Sequence, residues 1–339
     1  MNSTEMTGTQ ISSMATLPTQ AAAPLTVPTV AFGRFRDGSA AERQAIAARI
    51  VAAGETYGFF YLSDNGVART QVDAAFDAAR AFFALPLADR MACRAGEKRQ
   101  NRGYQPMFDT QQRAEATPDG KESFDMGFPF PADDPGVVAG LPFHGRNTWP
   151  DLPGFRDTIE GLYTRLLATG HDVLRAMALG LGADPELFAR QCQRPSTNMR
   201  LVHYPPQDQI AGRTDKGAGA HTDRGLITLL LNDNEAGLEV QSLDGTWIAV
   251  PPQQDALIVN VGQLMTRWTN GRLRSAVHRV INASGRERYS IPQFHHPDYH
   301  AVVDPRDLPL TEEPAFDAVV AGDFVAKGFG ADRASWKTP

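Results

Sequence analysis

From residue 199 onward the chain breaks into seven short apolar runs, at 200–204, 225–231, 238–242, 247–250, 256–261, 277–281 and 289–294, punctuated by Gly, Pro, Asn and Asp. Runs of this length at roughly ten-residue spacing predict antiparallel strands folded as a sandwich or jelly-roll barrel. The first half reads differently. Residues 27–32 and 59–62 are strand-like, and the second of these ends at Asp64-Asn65-Gly66. Residues 40–57 follow an N-cap candidate in Asp37-Gly38-Ser39 and carry Ile46, Ile50 and Val51 on one face. A further helix is expected over 72–83, stopped before Leu85-Pro86. The strongest helical pattern covers 153–182, where Ile159, Leu162, Leu166, Val173, Met177 and Leu181 recur at helical spacing. Between about 95 and 149 periodicity fades into a long loop region with short extended pieces, and loops of that length tend to be functional or disordered. Helices first and antiparallel strands second make the chain α+β with one continuous core.

Composition narrows the function. With 33 Lys+Arg against 39 Asp+Glu, the net charge of −6 excludes nucleic-acid binding by bulk positive charge. Two separated cysteines, Cys93 and Cys192, supply neither a thiolate zinc site nor a disulfide framework and fit a reducing compartment. Residues 1–25 lack a basic n-region and an unbroken apolar core, so they read as a disordered Ser/Thr/Ala leader rather than a secretory signal. The most apolar stretch, 166–181, is interrupted by His171, Asp172 and Arg175, so no membrane span is expected and a cytoplasmic location is.

The chemistry concentrates in the strand-rich half. His-x-Asp occurs twice. In His296-Pro297-Asp298 proline opposes a central-strand role, and the only later histidine, His300, is too near to come from another strand. In His221-Thr222-Asp223, at the entrance to the strand expected over 225–231, side chains two apart on extended backbone share a face. His278 follows 55 residues after Asp223, with several strands between. Two imidazoles and a carboxylate make the facial triad that holds Fe(II) with positions left open. Arg288 and Ser290, again two apart, form a candidate carboxylate clamp, because a guanidinium grips a carboxylate bidentately and a hydroxyl adds a hydrogen bond. The other histidines, His144, His171, His203, His295, His296 and His300, read as structural or solvent-facing.

These residues resemble the isopenicillin N synthase-like branch of the Fe(II)/2-oxoglutarate-dependent dioxygenases. His221-Thr222-Asp223 and His278 match its metal motif, Arg288-Tyr289-Ser290 its R-x-S motif, and Tyr204 its tyrosine ligand to the oxo-acid. Val27-Pro28-Thr29-Val30 looks like its opening strand, and Gly58-Phe59-Phe60 with Asn65-Gly66-Val67 like its GFF…NHGV segment. Gly103-Tyr104 and Lys121-Glu122-Ser123-Phe124 look like its substrate-side loop. Asn65 stands where the family usually has histidine, and Val202 where it often has asparagine; neither position is a metal ligand.

The resemblance implies a double-stranded β-helix (jelly-roll, cupin-like) with the 153–182 helix and the N-terminal helices packed on its outer sheet. It divides the chain into a leader over 1–25, a helical and substrate-loop region over 26–198, a catalytic core over 199–300 and a C-terminal segment over 301–339, all one structural unit. It also implies Fe(II) on His221, Asp223 and His278, with 2-oxoglutarate held by Arg288, Ser290 and Tyr204. Oxygen would serve as co-substrate and ascorbate as an accessory reductant. The expected reaction releases succinate and carbon dioxide while a small molecule is hydroxylated, desaturated or cyclised; the expected protein is a monomer that binds neither nucleic acid nor membrane. Tyr104, Phe124 and Arg200 are the substrate candidates. Strand alternation from Tyr204 puts Arg200 and Val202 inward, where Arg200 either binds a substrate or oxo-acid carboxylate or pairs with Glu122 or Asp125. An ethylene- and succinate-forming enzyme, an oxidase of the same family that uses no 2-oxoglutarate, and a non-catalytic ligand-binding barrel stand as alternatives.

Overall fold

The computed structural model describes residues 26–94, 100–109, 119–206, 216–282 and 284–332, so the expected leader lies outside the described residues. Twelve strands form two facing sheets. In chain order they are β1 (Thr29–Ala31), β2 (Phe59–Ser63), β3 (Gly103–Gln105), β4 (Glu122–Gly127), β5 (Asn198–Tyr204) and β6 (Lys216–His221). After these come β7 (Ile227–Asn232), β8 (Leu238–Gln241), β9 (Trp247–Ala249), β10 (Leu257–Val261), β11 (His278–Ile281) and β12 (Arg288–His295). The large sheet runs β1-β2-β10-β7-β12-β5-β4-β3, and the small one β6-β11-β8-β9. All pairings within them are antiparallel except β1 with β2. This is the double-stranded β-helix, and all seven runs expected as strands are strands. The regions 26–198 and 199–300 share the large sheet.

Helices cover the outer face of that sheet. Ala40–Thr56 begins with a capping box, in which Ser39 Oγ accepts from the Glu42 N–H while the Glu42 carboxylate accepts from the Ser39 N–H. Arg69–Phe83 and Ala40–Thr56 both pack on Phe155–Gly180, which lies against β12. Gly170, in the middle of that long helix, permits the approach: a Cβ there would lie 2.0 Å from His295 Cε1. None of the described helices is long and apolar enough to cross a membrane.

The expected single core is two clusters, because the large sheet is buried on both faces and its side chains alternate between them. The outer cluster, under the helices, holds Phe82, Phe124, Phe155, Leu166 and Ile291. The inner one, between the sheets, holds Phe59, Tyr61, Val202, Tyr204, Val240 and Val280. Part of the inner space is an open cavity.

Candidate metal centre

The His-x-Asp segment lies at the entrance to β7, as its sequence suggests, and its histidine ends a strand that the sequence does not mark. His221 closes β6, a Gly- and Ala-rich strand formed by pairing with β11, and Asp223 lies in the turn that leads into β7. His278 opens β11 directly across the ladder from His221. This register brings together two imidazoles that lie far apart in the chain, with ring centroids 4.3 Å apart. One candidate ligand atom from each of His221, Asp223 and His278 falls within 4.8 Å of the other two.

The surroundings fix which atoms face inward. His221 Nδ1 lies 2.7 Å from the Gly219 carbonyl and His278 Nδ1 3.2 Å from the Ala276 carbonyl. A carbonyl only accepts, so each Nδ1 carries the proton and each Nε2 presents a lone pair. Both Nε2 atoms are 3.8 Å from Asp223 Oδ1. Asp223 Oδ2 is held from behind by Thr228 Oγ1 at 2.5 Å and Asn260 Nδ2 at 2.7 Å, which leaves Oδ1 toward the histidines. Burial and the neighbouring His278 push His221 down to about 4, so its ring is neutral near pH 7. Burial opposes ionisation of Asp223, but the two imidazoles and the Thr228 and Asn260 hydrogen bonds prevail and hold its carboxyl below the usual range. Two imidazole nitrogens and one carboxylate oxygen on one side, with a cavity on the other, fit a divalent iron that keeps open positions.

The same cavity, about 190 Å³, is lined by β5 and β12. Their antiparallel register sets Arg288 opposite Tyr204, Ser290 opposite Val202 and Phe294 opposite Asn198. Alternation turns Arg288, Ser290, Pro292 and Phe294 of β12, and Asn198, Arg200, Val202 and Tyr204 of β5, into the cavity. Arg288 is 1% exposed, and its guanidinium lies over the Tyr204 ring at 4.9 Å from the centroid. Its Nη2 donates to Asn232 Oδ1 at 2.8 Å, whereas Nε and Nη1 have no partner among the described residues. A buried guanidinium with two unmatched donors is costly unless an anion meets them, and the dicarboxylate 2-oxoglutarate would meet them.

Two substrate candidates move elsewhere. Tyr104 on β3 and Phe124 on β4 are cross-strand partners on the face opposite the cavity and belong to the outer cluster. Tyr104 Oη donates to Glu122 Oε2 at 2.5 Å, while Phe124 packs edge-on against Phe82 and Phe155. The third candidate, Arg200, lines the cavity and also forms the protein ion pair weighed against a ligand role, since its Nε donates to Asp125 Oδ1 at 2.8 Å. His296, read as structural, is on the cavity wall with Nδ1 unpartnered among the described residues, and burial pushes its ring down to about 4. Asn198 and Lys121 also reach the wall. Continuing the alternation from Tyr204 through Val202 and Arg200 by one more step points to Asn198; the Lys121 and His296 positions carry no such periodic signal.

Comparison with known proteins follows this geometry. The "non-haem dioxygenase in morphine synthesis N-terminal" family model matches residues 27–152, and the "2OG-Fe(II) oxygenase superfamily" model matches 195–297. The 2-oxoglutarate-Fe(II) type oxidoreductase hxnY of Emericella nidulans is 35% identical over 312 residues, which cover 89% of each chain. Neurospora crassa T7H, solved with alpha-KG and thymine, superposes with a TM-score of 0.79 at 28% identity, covering 90% of this chain and 96% of the other. A 2OG-Fe(II) oxygenase family protein of Caulobacter crescentus gives 0.78 at 33% identity, covering 90% and 98%.

Proposed function

The chain belongs to the 2-oxoglutarate/Fe(II) oxygenase family, an enzyme class that acts on small molecules, and on that premise we propose that His221, Asp223 and His278 hold the iron while Arg288, Ser290 and Tyr204 hold 2-oxoglutarate. When bound, iron and the oxo-acid supply the oxidising chemistry, in which oxygen is consumed, succinate and carbon dioxide leave, and a substrate C–H bond is oxidised. The protein's contribution is placement. Asn260 and Thr228 orient the Asp223 carboxylate, and the Gly219 and Ala276 carbonyls set the two imidazole tautomers. Asn232 takes Nη2 of Arg288, whose side chain lines the cavity and keeps Nε and Nη1 unmatched among the described residues. The Ser290 hydroxyl, on the same face of β12, is available for a further hydrogen bond to a carboxylate.

One observation carries the reading: a buried guanidinium with two unmatched donors shares a cavity with an open His-Asp-His cluster. Neither feature favours the metal-free fold. In the test, Fe(II) and 2-oxoglutarate are added anaerobically, and their charge-transfer absorption and the retained iron are measured in wild type and in His221→Ala, Asp223→Ala and His278→Ala. Each substitution is expected to abolish both signals with the melting temperature retained. A variant that keeps wild-type iron content removes that residue from the ligand set.

A further inference from the structure

Asp125, on β4, is 0% exposed and does not line the cavity, yet it determines what two cavity residues present. One of its oxygens, Oδ1, accepts both from Arg200 Nε at 2.8 Å and from Asn198 Nδ2 at 3.3 Å, so the two head groups are neighbours. An ionised carboxylate only accepts, which fixes the Asn198 amide with nitrogen toward Asp125 and oxygen away from it. That oxygen is buried and has no partner among the described residues, in a residue 1% exposed. Arg200, its charge already met by Asp125, gives Nη2 to Asn101 Oδ1 at 3.4 Å and leaves Nη1 without a partner among the described residues. Both residues line the cavity, so its wall carries an unmatched acceptor close to a donor. Phe294, opposite Asn198 in the ladder and 5.9 Å from the Arg200 guanidinium, adds a flat apolar face.

We propose that this is a substrate subsite for a cis-amide edge, an N–H beside a carbonyl as in a lactam or pyridone ring, with the N–H donating to Asn198 Oδ1 and the carbonyl accepting from Arg200. The proposal rests on the iron and 2-oxoglutarate assignment above and names the substrate class of that site. A carboxylate fits the pair worse, because one of its oxygens would face the Asn198 oxygen, and because the charges of Arg200 and Lys121 are already balanced by Asp125 and Asp119. Pairing of this kind discriminates strongly, since a ligand lacking the N–H leaves a buried acceptor unmatched. The small-acid preference that Arg200 alone suggests is thereby replaced by an amide preference.

The test is calorimetric, on the anaerobic protein loaded with Fe(II) and 2-oxoglutarate. Binding of 2-pyridone, 2-pyrrolidinone and uracil is compared with N-methyl-2-pyridone and benzoate. We expect at least one N–H compound to bind, with 2-pyridone at least about tenfold tighter than its N-methyl analogue and tighter than benzoate. Asn198→Ala should bring the 2-pyridone to N-methyl ratio close to one while 2-oxoglutarate affinity is kept. The ligand comparison is decisive in the wild-type protein alone, so it stands even if the variant does not fold. Equal binding of the N-methyl analogue, failure of all three N–H compounds, or tighter binding of benzoate than of 2-pyridone would overturn the proposal. The charge-transfer absorption is recorded in the same samples. Its absence in wild type overturns the iron assignment and the subsite with it; its presence without an N–H preference overturns the subsite alone.

Discussion

Replacing Arg288 with methionine, a side chain of similar length, should separate function from stability in opposite directions. Arg288 is 1% exposed and satisfies one of its three donor directions through Asn232. The two unmatched donors would each contribute a buried charge-assisted hydrogen bond to the oxo-acid, about 1.5–3 kcal/mol apiece. Losing both weakens 2-oxoglutarate by about 3–6 kcal/mol, roughly two to four orders of magnitude in its dissociation constant. Arg288→Lys keeps a charge but loses the planar fork, and should cost about half as much, a tenfold to hundredfold rise. The metal-free protein should behave differently. Exchanging a poorly matched buried cation for an apolar chain is often neutral or stabilising by about 1–4 kcal/mol, offset by roughly 1 kcal/mol as Asn232 loses its donor. Its melting temperature should therefore hold or rise. Anaerobic titration of the charge-transfer band gives the binding constant, and calorimetric melting without ligand gives the stability. A large fall in the ligand-free melting temperature, with 2-oxoglutarate affinity unchanged, would refute the reasoning by making Arg288 a structural cation.

Asn260→Ala removes one of the two hydrogen bonds that aim Asp223, and should weaken iron binding by about 10–100-fold without altering the ligand set, as read by metal titration. Gly170→Ala would gain about 1 kcal/mol of helix propensity in an open helix, but here the new methyl meets His295, so chemical unfolding should show a net loss of about 1–3 kcal/mol. Glu42 is held down to about 2, first by its hydrogen bond from Arg34 and then by those from Ser39. A depressed carboxyl contributes stability above its unfolded value near 4.5 that is lost as pH falls through about 2, so Glu42→Gln should flatten acid unfolding in that window.

The strand half and the candidate metal ligands were legible because their signals are local. Apolar runs bounded by Gly and Pro mark strands, and His-x-Asp fixes two ligands to one face whatever the surrounding fold. The 153–182 pattern likewise corresponds to the helix Phe155–Gly180. Elements stabilised by distant partners were not legible. β6, with the sequence Lys-Gly-Ala-Gly-Ala-His, has little strand propensity and is extended because β11 pairs with it. β4 is buried along its whole length although it contains Glu122 and Asp125, which hides any alternation. Glu122 is met by Arg90, Tyr104 and His203, and Asp125 by Gln105, Asn198 and Arg200, mostly from elements remote in sequence. Tyr104 and Phe124 could not be assigned to a face without that register. Pro297 argues against a site role for His296, yet His296 sits on the wall since the chain leaves β12 beside the cavity.

The ladder between β5 and β12 has a consequence for the order in which the molecule acquires its shape. Each of its pairs, from Arg288 with Tyr204 to Phe294 with Asn198, joins positions roughly 80–100 residues apart, so loop-closure entropy must be overcome before the contact forms. Contacts of such long range make folding slow and place their completion late. The walls of the cavity therefore arise in the final association of the sheet rather than in any early hairpin. A chain still emerging from the ribosome has His221 and Asp223 before it has His278, Arg288 or Phe294, so the full set of residues proposed to hold metal, oxo-acid and substrate exists only once synthesis has passed β12.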